Sequence, residues 1–231
     1  MDVERLKANC RDVSSRAAAA AERAGRPEGS WRLVAVTKSV GADVAAALAR
    51  LGVGNLGENR VRELVAKREA LAGQAVCWHM IGHLQRNKVK NVLGHVELIH
   101  SVDSLRLARE VEKVASRREM VQDVLLEVNV AGEEAKWGLT PEETPRLAEA
   151  VAQLPHVRVR GLMTMAPLAG DAEETRPVFR SLRQLGERLA AGGLFSGSGW
   201  ELSMGMTQDF EVAVEEGATL IRVGSALFAG V

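Results

Sequence analysis

From Leu33 to the C-terminus, short apolar runs alternate with longer segments of helical period. Residues 3 to 24 precede this series and read as a helix through Leu6, Val13 and the Ala17 to Ala21 tract, stopped by Gly25 and Pro27. Residues 33 to 36 are continuously apolar and bounded by polar residues, the pattern of a strand buried on both faces. The alternation then runs LVAVTK, helix 42–51; VGNLGEN, helix 61–71; VCWHMIG, helix 84–93; and VELIHSV, helix 104–118. It continues with DVLLEVNV, helix 141–154; VRVRGLMTM, helix 175–191; WELSMGM, helix 209–216; and finally ATLIRVGSALF as the last strand.

Eight strand candidates separated by helices require a parallel sheet with right-handed crossovers. In a chain of 231 residues this count predicts a single α/β domain over 1–231, a (β/α)8 TIM barrel with an extra N-terminal helix. That helix would cover the barrel where a last helix is missing. A doubly wound open sheet is the competing fold, and the lack of a GxGxxG turn after Gly52 counts against it.

Composition narrows the function classes. Apolar residues make up 46% and charged residues 26%, which excludes disorder as the main state, while 3% aromatics imply an aliphatic core. Thirty basic and thirty acidic residues leave no net field to attract nucleic acid, and no run of 18 apolar residues predicts a membrane span. The basic run Arg86 to Lys90 is read as a solvated helix face. Cys10 and Cys77 have no metal or disulfide spacing, and the N-terminus has no apolar signal region, so a reducing, cytoplasmic setting is expected.

A barrel of this type works at the C-terminal ends of its strands. There the chain presents Lys38, Asn59, Ser101, Asn129, Met165 and Ser203, with Arg222 within the eighth strand. Lys38 follows four apolar residues and Thr37, so its stem is expected to begin in the barrel wall; such an amine is either a nucleophile for aldehydes or a cation snorkelling to the mouth. SMGMTQD around Ser203 and RVGSALFAG around Ser225 each set a hydroxyl beside small residues, a pattern that fits a phosphate cradle. Asp209 is expected to cap the helix after Thr207. Lysine and cradle together point to a phosphorylated aldehyde, either pyridoxal 5'-phosphate (PLP) or an aldolase's phosphosugar.

AVTKSV at 35–40, GENRVRE at 57–63, WHMIGHLQRNK at 78–88, VNVAGEEAKWGL at 128–139, GLMTMAP at 161–167, LSMGMTQDFEVAVEEGAT at 202–219 and IRVGSALF at 221–228 resemble the YggS/PROSC family, the PLP homeostasis proteins related to the alanine racemase N-terminal barrel. The resemblance implies an internal aldimine on Lys38, with Ser203, Thr207, Gly224 and Ser225 around the phosphate and Arg222 beside the pyridine nitrogen. It places Asn59 near the cofactor and His79, Met163 and Met165 along the barrel interior. Many relatives carry Ser where this chain has Thr207, a change that keeps the hydroxyl.

The expected role is to bind, buffer and deliver PLP to apoenzymes, as a monomer and without dedicated turnover. A small PLP-dependent racemase is the alternative. An arginine at the ring nitrogen disfavours its protonation, the chain has no Tyr to serve as a second base, and it stops at Val231 just after the eighth strand. His79 and His83 are not expected to form a metal pair, His95, His100 and His156 are read as caps or surface groups, and Glu133, Glu134 and Lys136 as a charged loop able to cover the site.

Overall fold

The computed structural model describes residues 1–133, 137–167, 170–197 and 199–231. The loop residues Glu134 and Lys136 lie outside the described residues. Eight parallel strands form a closed barrel in sequence order: β1 (Arg32–Val36), β2 (Asn55–Glu58), β3 (Cys77–Met80), β4 (Leu98–Val102), β5 (Gln122–Glu127), β6 (Val157–Met163), β7 (Glu201–Ser203) and β8 (Leu220–Val223). The open-sheet alternative is excluded, because β1 pairs with both β2 and β8.

Among the described residues, seven α-helices accompany them: α1 (Val3–Arg23), α2 (Ala42–Arg50), α3 (Val61–Ala70), α4 (Leu105–Arg117), α5 (Thr144–Ala152), α6 (Arg176–Ala191) and α7 (Phe210–Glu215). The helix expected over 84–93 is shorter and tighter, a 3-10 helix at Arg86–Asn91 that buries Val89 and leaves Arg86, Lys88 and Lys90 exposed. Leu84, Val92 and Leu93 are buried too, but they flank the helical turn rather than extending it. The last strand is also shorter than its apolar run, since residues 225–230 leave the barrel as turns.

Residues 225–230 after β8 form turns, and α1 packs over them. Its Leu6, Val13 and Ala17 are buried in the outer core, and Asn9 Nδ2 donates to the carbonyls of Leu227 and Ala229 at 3.0 Å each. Beyond α1, Arg26 donates to the carbonyls of Val214, Ala218 and Ser30 at 2.5–2.8 Å, tying the α1–β1 connection to the end of α7. Ion pairs Arg16–Glu211 and Arg23–Glu215, both 2.7 Å, add register but little energy at an exposed face.

Strand alternation divides the core in two. Val34, Leu98, Leu125, Met163 and Leu220 form a small cluster inside the barrel, whereas Ala35, Ile99, Val124, Leu162 and Ile221 pack outward with the helices. Two irregularities reset this alternation. In β6 the pairing passes from Val124↔Val159 to Leu125↔Gly161, so Arg160 is an extra residue and Met163 turns inward. Gly161 has φ 146°, and a Cβ there would meet Glu201 O at 2.0 Å, so only glycine fits. A similar shift in β4 between Ile99 and Val102 frees the Ser101 hydroxyl to donate to Gly82 O at 2.6 Å.

The docking of α1 is testable. Leu6→Ala is expected to lower unfolding free energy by about 2–5 kcal/mol in denaturant titrations, because a fully buried leucine is removed; an unchanged midpoint would mean α1 adds nothing to the barrel.

Candidate functional site

Above the inner apolar cluster, the next inward positions are polar. His79, His100, Ser203, Glu127 and Arg222 are all buried. Arg222 Nη1 donates to Ser203 Oγ at 2.6 Å, and Nη2 donates to Thr164 O at 2.8 Å. Ser203 Oγ is 2.8 Å from His100 Nδ1, His100 Nε2 is 2.9 Å from His79 Nδ1, and His79 Nε2 is 3.2 Å from Asn55 Oδ1.

Chemistry orders this chain. Asn55 Oδ1 only accepts, so the proton on His79 sits at Nε2 and Nδ1 accepts from His100 Nε2–H; His100 Nδ1 then accepts the Ser203 hydroxyl proton. Every donor in the sequence therefore points from Arg222 toward Asn55. Burial, with the Arg32 cation adding, lowers the His79 pKa to about 4. His100 is held well below its ordinary value by burial, then by His79, Arg222 and Arg32. Both rings are neutral at pH 7, as the assigned tautomers require. Burial lowers Arg222 to about 10, opposed by Asp209 and Glu127, so it remains a cation.

The mouth carries the other groups. Lys38 lies two residues past the end of β1 in an exposed turn, so its stem starts at the rim and not within the wall as expected. Closure sets β8 beside β1, with Ala35 opposite Val223, so the loop after β8 leaves the barrel next to Lys38. In that loop Ser225 Oγ donates to Thr207 Oγ1 at 3.1 Å, and Ala226 N donates to the same oxygen at 3.4 Å. Gly224 lies against β1, where a Cβ would sit 3.2 Å from Val36 O. Ser203 is deeper, inside the barrel under Arg222, because its strand position points inward.

Other expected positions scatter. His79 and Met163 are interior, but Met165 is 36% exposed past the end of β6. Asn59 lines a cavity of about 780 Å³ between α3 and the 3-10 helix, together with Arg60, Lys88 and Met80. A second cavity of about 850 Å³ is lined by His83, Asp103 and Trp137, and His83 stacks on Trp137 with ring centroids 4.0 Å apart. Neither cavity contains Lys38, Thr207, Arg222 or Ser225. Asn129 closes its own loop, donating from Nδ2 to Glu133 O at 2.8 Å. Asp209 stands at the N-cap of α7 as expected, yet its carboxylate accepts from Met206 N at 2.6 Å and not from the helix. Among the described residues, no group of three or more His, Cys, Asp or Glu side chains could hold a metal ion.

Sequence reasoning assigned His100 to a cap or the surface. The reading fails because Leu98 faces inward and the period of two carries His100 with it. Glu127 was missed for a similar reason, two positions beyond the inward Leu125. Burial, with Asp103 adding and Arg222 opposing, raises its carboxyl to about 7, and Oε2 has no hydrogen-bond partner among the described residues. The pair Glu58 and Lys67, buried behind the ends of β1 and β2, was also missed.

A closed parallel barrel with an amine at the rim of β1, hydroxyls on the loops after β7 and β8, and a buried arginine beneath them defines an alanine-racemase-type barrel. The profile of the family described as alanine racemase, N-terminal domain, matches residues 1–230, and the chain belongs to that family. An alanine racemase from Clostridium difficile has the same fold, with a TM-score of 0.80 at 16% identity over 99% of this chain and 60% of that one. Nearer relatives are more specific. A pyridoxal phosphate homeostasis protein from Aquifex aeolicus is 47% identical over 94% of each chain. The structure of PipY from Synechococcus elongatus with PLP bound superposes with a TM-score of 0.84 at 32% identity, over 97% of this chain and 100% of that one. The chain is a member of the pyridoxal phosphate homeostasis protein family.

The position of Glu127 generates a pH prediction. A carboxyl whose folded pKa of about 7 exceeds its ordinary 4.5 contributes stability fully present below pH 4.5 and lost as pH rises through 7. At about 1.4 kcal/mol per tenfold change in proton affinity, the ceiling is about 3 kcal/mol. Glu127→Gln is therefore expected to gain on the wild type between pH 4.5 and 7 and to hold that gain above pH 8. Parallel pH–stability curves would show that the carboxyl is not strained by burial.

Proposed function

We propose that this chain binds PLP reversibly through Lys38 and serves its storage and delivery to apoenzymes, as a monomer in the cytoplasm. The observation that carries the reading is the Ser225–Thr207 hydroxyl pair at 3.1 Å on the loops after β7 and β8, adjacent to the strand that presents Lys38. The names and the bound PLP of the homologues support the same assignment.

The residues fit the group by chemistry. Two hydroxyls and the Ala226 N–H make a small donor set for a phosphate, and the exposed lysine supplies a primary amine. When bound, PLP supplies an aldehyde that joins a primary amine through a C=N bond as one water leaves. Arg222, held by Ser203 and Thr164, would meet the pyridine nitrogen as a fixed donor. Its cation disfavours a second positive charge there, which weakens the ring as an electron sink. Gly224 keeps the backbone low against β1, whereas Asn59 lines the cavity beside α3, away from these groups.

Carrier function is favoured over racemisation. The chain contains no Tyr to face the lysine as a second base. The aliphatic inner cluster and the neutral histidine chain leave Arg222 as the cation beneath the mouth, a setting suited to retention more than to stabilising a carbanion. Incubation with L-amino acids is expected to yield no D-isomers at ordinary enzyme rates.

Borohydride reduction of the PLP-loaded protein followed by peptide mass spectrometry is expected to find the pyridoxyl group on Lys38, with Lys38→Ala losing both label and yellow absorbance. Label on another side chain ends this reading. Thr207→Val and Ser225→Ala should each weaken PLP binding roughly 10- to 100-fold, as expected for a hydrogen bond to a charged group; wild-type affinity in both would remove these hydroxyls from the phosphate.

A further inference from the structure

Glu58 and Lys67 form an ion pair whose side chains are 0% and 5% exposed. Glu58 ends β2 and Lys67 lies on α3, so the pair sits in the wall between barrel and helix layer, where desolvation of two charges is costly. A pair so placed adds little stability over well-packed apolar residues of the same volume. What distinguishes it is the group it holds. Lys67 Nζ donates at 2.6 Å to Glu58 Oε1 and at 2.6 Å to the carbonyl of Thr37, the residue immediately before Lys38. Thr37 Oγ1 donates to the same Glu58 Oε1 at 2.6 Å.

The Thr37 carbonyl has a second donor, Val40 N at 3.1 Å, which closes the four-residue turn from Thr37 to Val40. Lys38 is the second residue of that turn. Thr37 N also donates to Gly57 O at 3.0 Å, the last bond between β1 and the β2 edge. The backbone before Lys38 is thus fixed at its N–H, its carbonyl and its side chain, while Lys38 itself is exposed.

We propose that Lys67, held by Glu58, is a positioning residue: it clamps the turn carbonyl and thereby aims the Lys38 amine at the mouth. This rests on the reading of Lys38 as the point of attachment. An ammonium is suited to the task because one centre with three donors can bond the carboxylate and the carbonyl at once, and Glu58 holds it in place. Pre-organising a reactive amine in this way lowers the ordering cost of each attachment event.

The test uses PLP as the probe and three variants. The double variant Lys67→Met/Glu58→Gln removes both charges together, so neither is left buried alone. Thr37→Val removes one leg of the clamp at constant shape, and Thr37→Ser restores it. The readouts are the second-order rate of appearance of bound-PLP absorbance, the circular dichroism of the bound chromophore, and the thermal midpoint without PLP. The double variant should fold, attach PLP about 10-fold more slowly and change the chromophore's dichroism; Thr37→Val should slow attachment about 3-fold, with Thr37→Ser near wild type. A folded double variant with wild-type rate and dichroism overturns the proposal. Should the double variant not fold, a wild-type rate in Thr37→Val overturns it instead. Reductive label at Lys38 with unchanged variants defeats this inference alone, whereas wild-type label elsewhere defeats the cofactor reading and this inference with it.

Discussion

Hydrogen bonding of β1 to both β2 and β8 closes the sheet, and closure decides where every functional group can be. A closed barrel has one small interior, so the inward half of each strand competes for limited volume. Val34, Leu98, Leu125, Met163 and Leu220 fill the lower part with aliphatic bulk. The next inward positions receive the polar groups. The same closure makes the first strand and the last neighbours, which brings residues about 190 positions apart in the chain, Lys38 and Ser225, to adjoining loops.

Polar groups inside such a barrel must be bonded to one another, since no water competes for them and an orphaned group costs about 1–3 kcal/mol. The run from Arg222 through Ser203, His100 and His79 to Asn55 meets this requirement with one consistent direction of donors. Its histidines are neutral because burial penalises their charged forms, and that neutrality leaves Arg222 as the cation beneath the mouth. Glu127 departs from this rule, a buried carboxyl with one oxygen unbonded among the described residues, as Glu58 also has in the barrel wall, and the proton affinity of Glu127 is raised to match. Rim and interior thereby differ in chemistry: an amine and hydroxyls open to solvent above, a fixed cation below.

Several features were legible before any coordinates. The order of strands and helices and the extra N-terminal helix follow from local pattern, because a period of two or 3.6 is a property of neighbouring residues; Lys38, expected to end the first strand, stands in the turn two residues beyond it. The missed residues share a different property. His100 and Glu127 are single polar letters within apolar runs, Lys67 is one lysine among several on a charged helix, and Glu58 sits within a motif whose asparagine drew attention instead. Each takes its meaning from a partner on another element.

The amino-acid sequence alone determined the fold class and the family likeness, since each is written in periodicity or in contiguous motifs. Only the tertiary structure decided which alternate residues face inward, because the bulges at Arg160 and Ser101 shift the phase of β6 and β4 against their neighbours. It alone decided, too, that Ser203 supports Arg222 and that Lys67 reaches the carbonyl before Lys38, because hydrogen bonds between distant elements depend on register and closure, and neither is encoded at any single position.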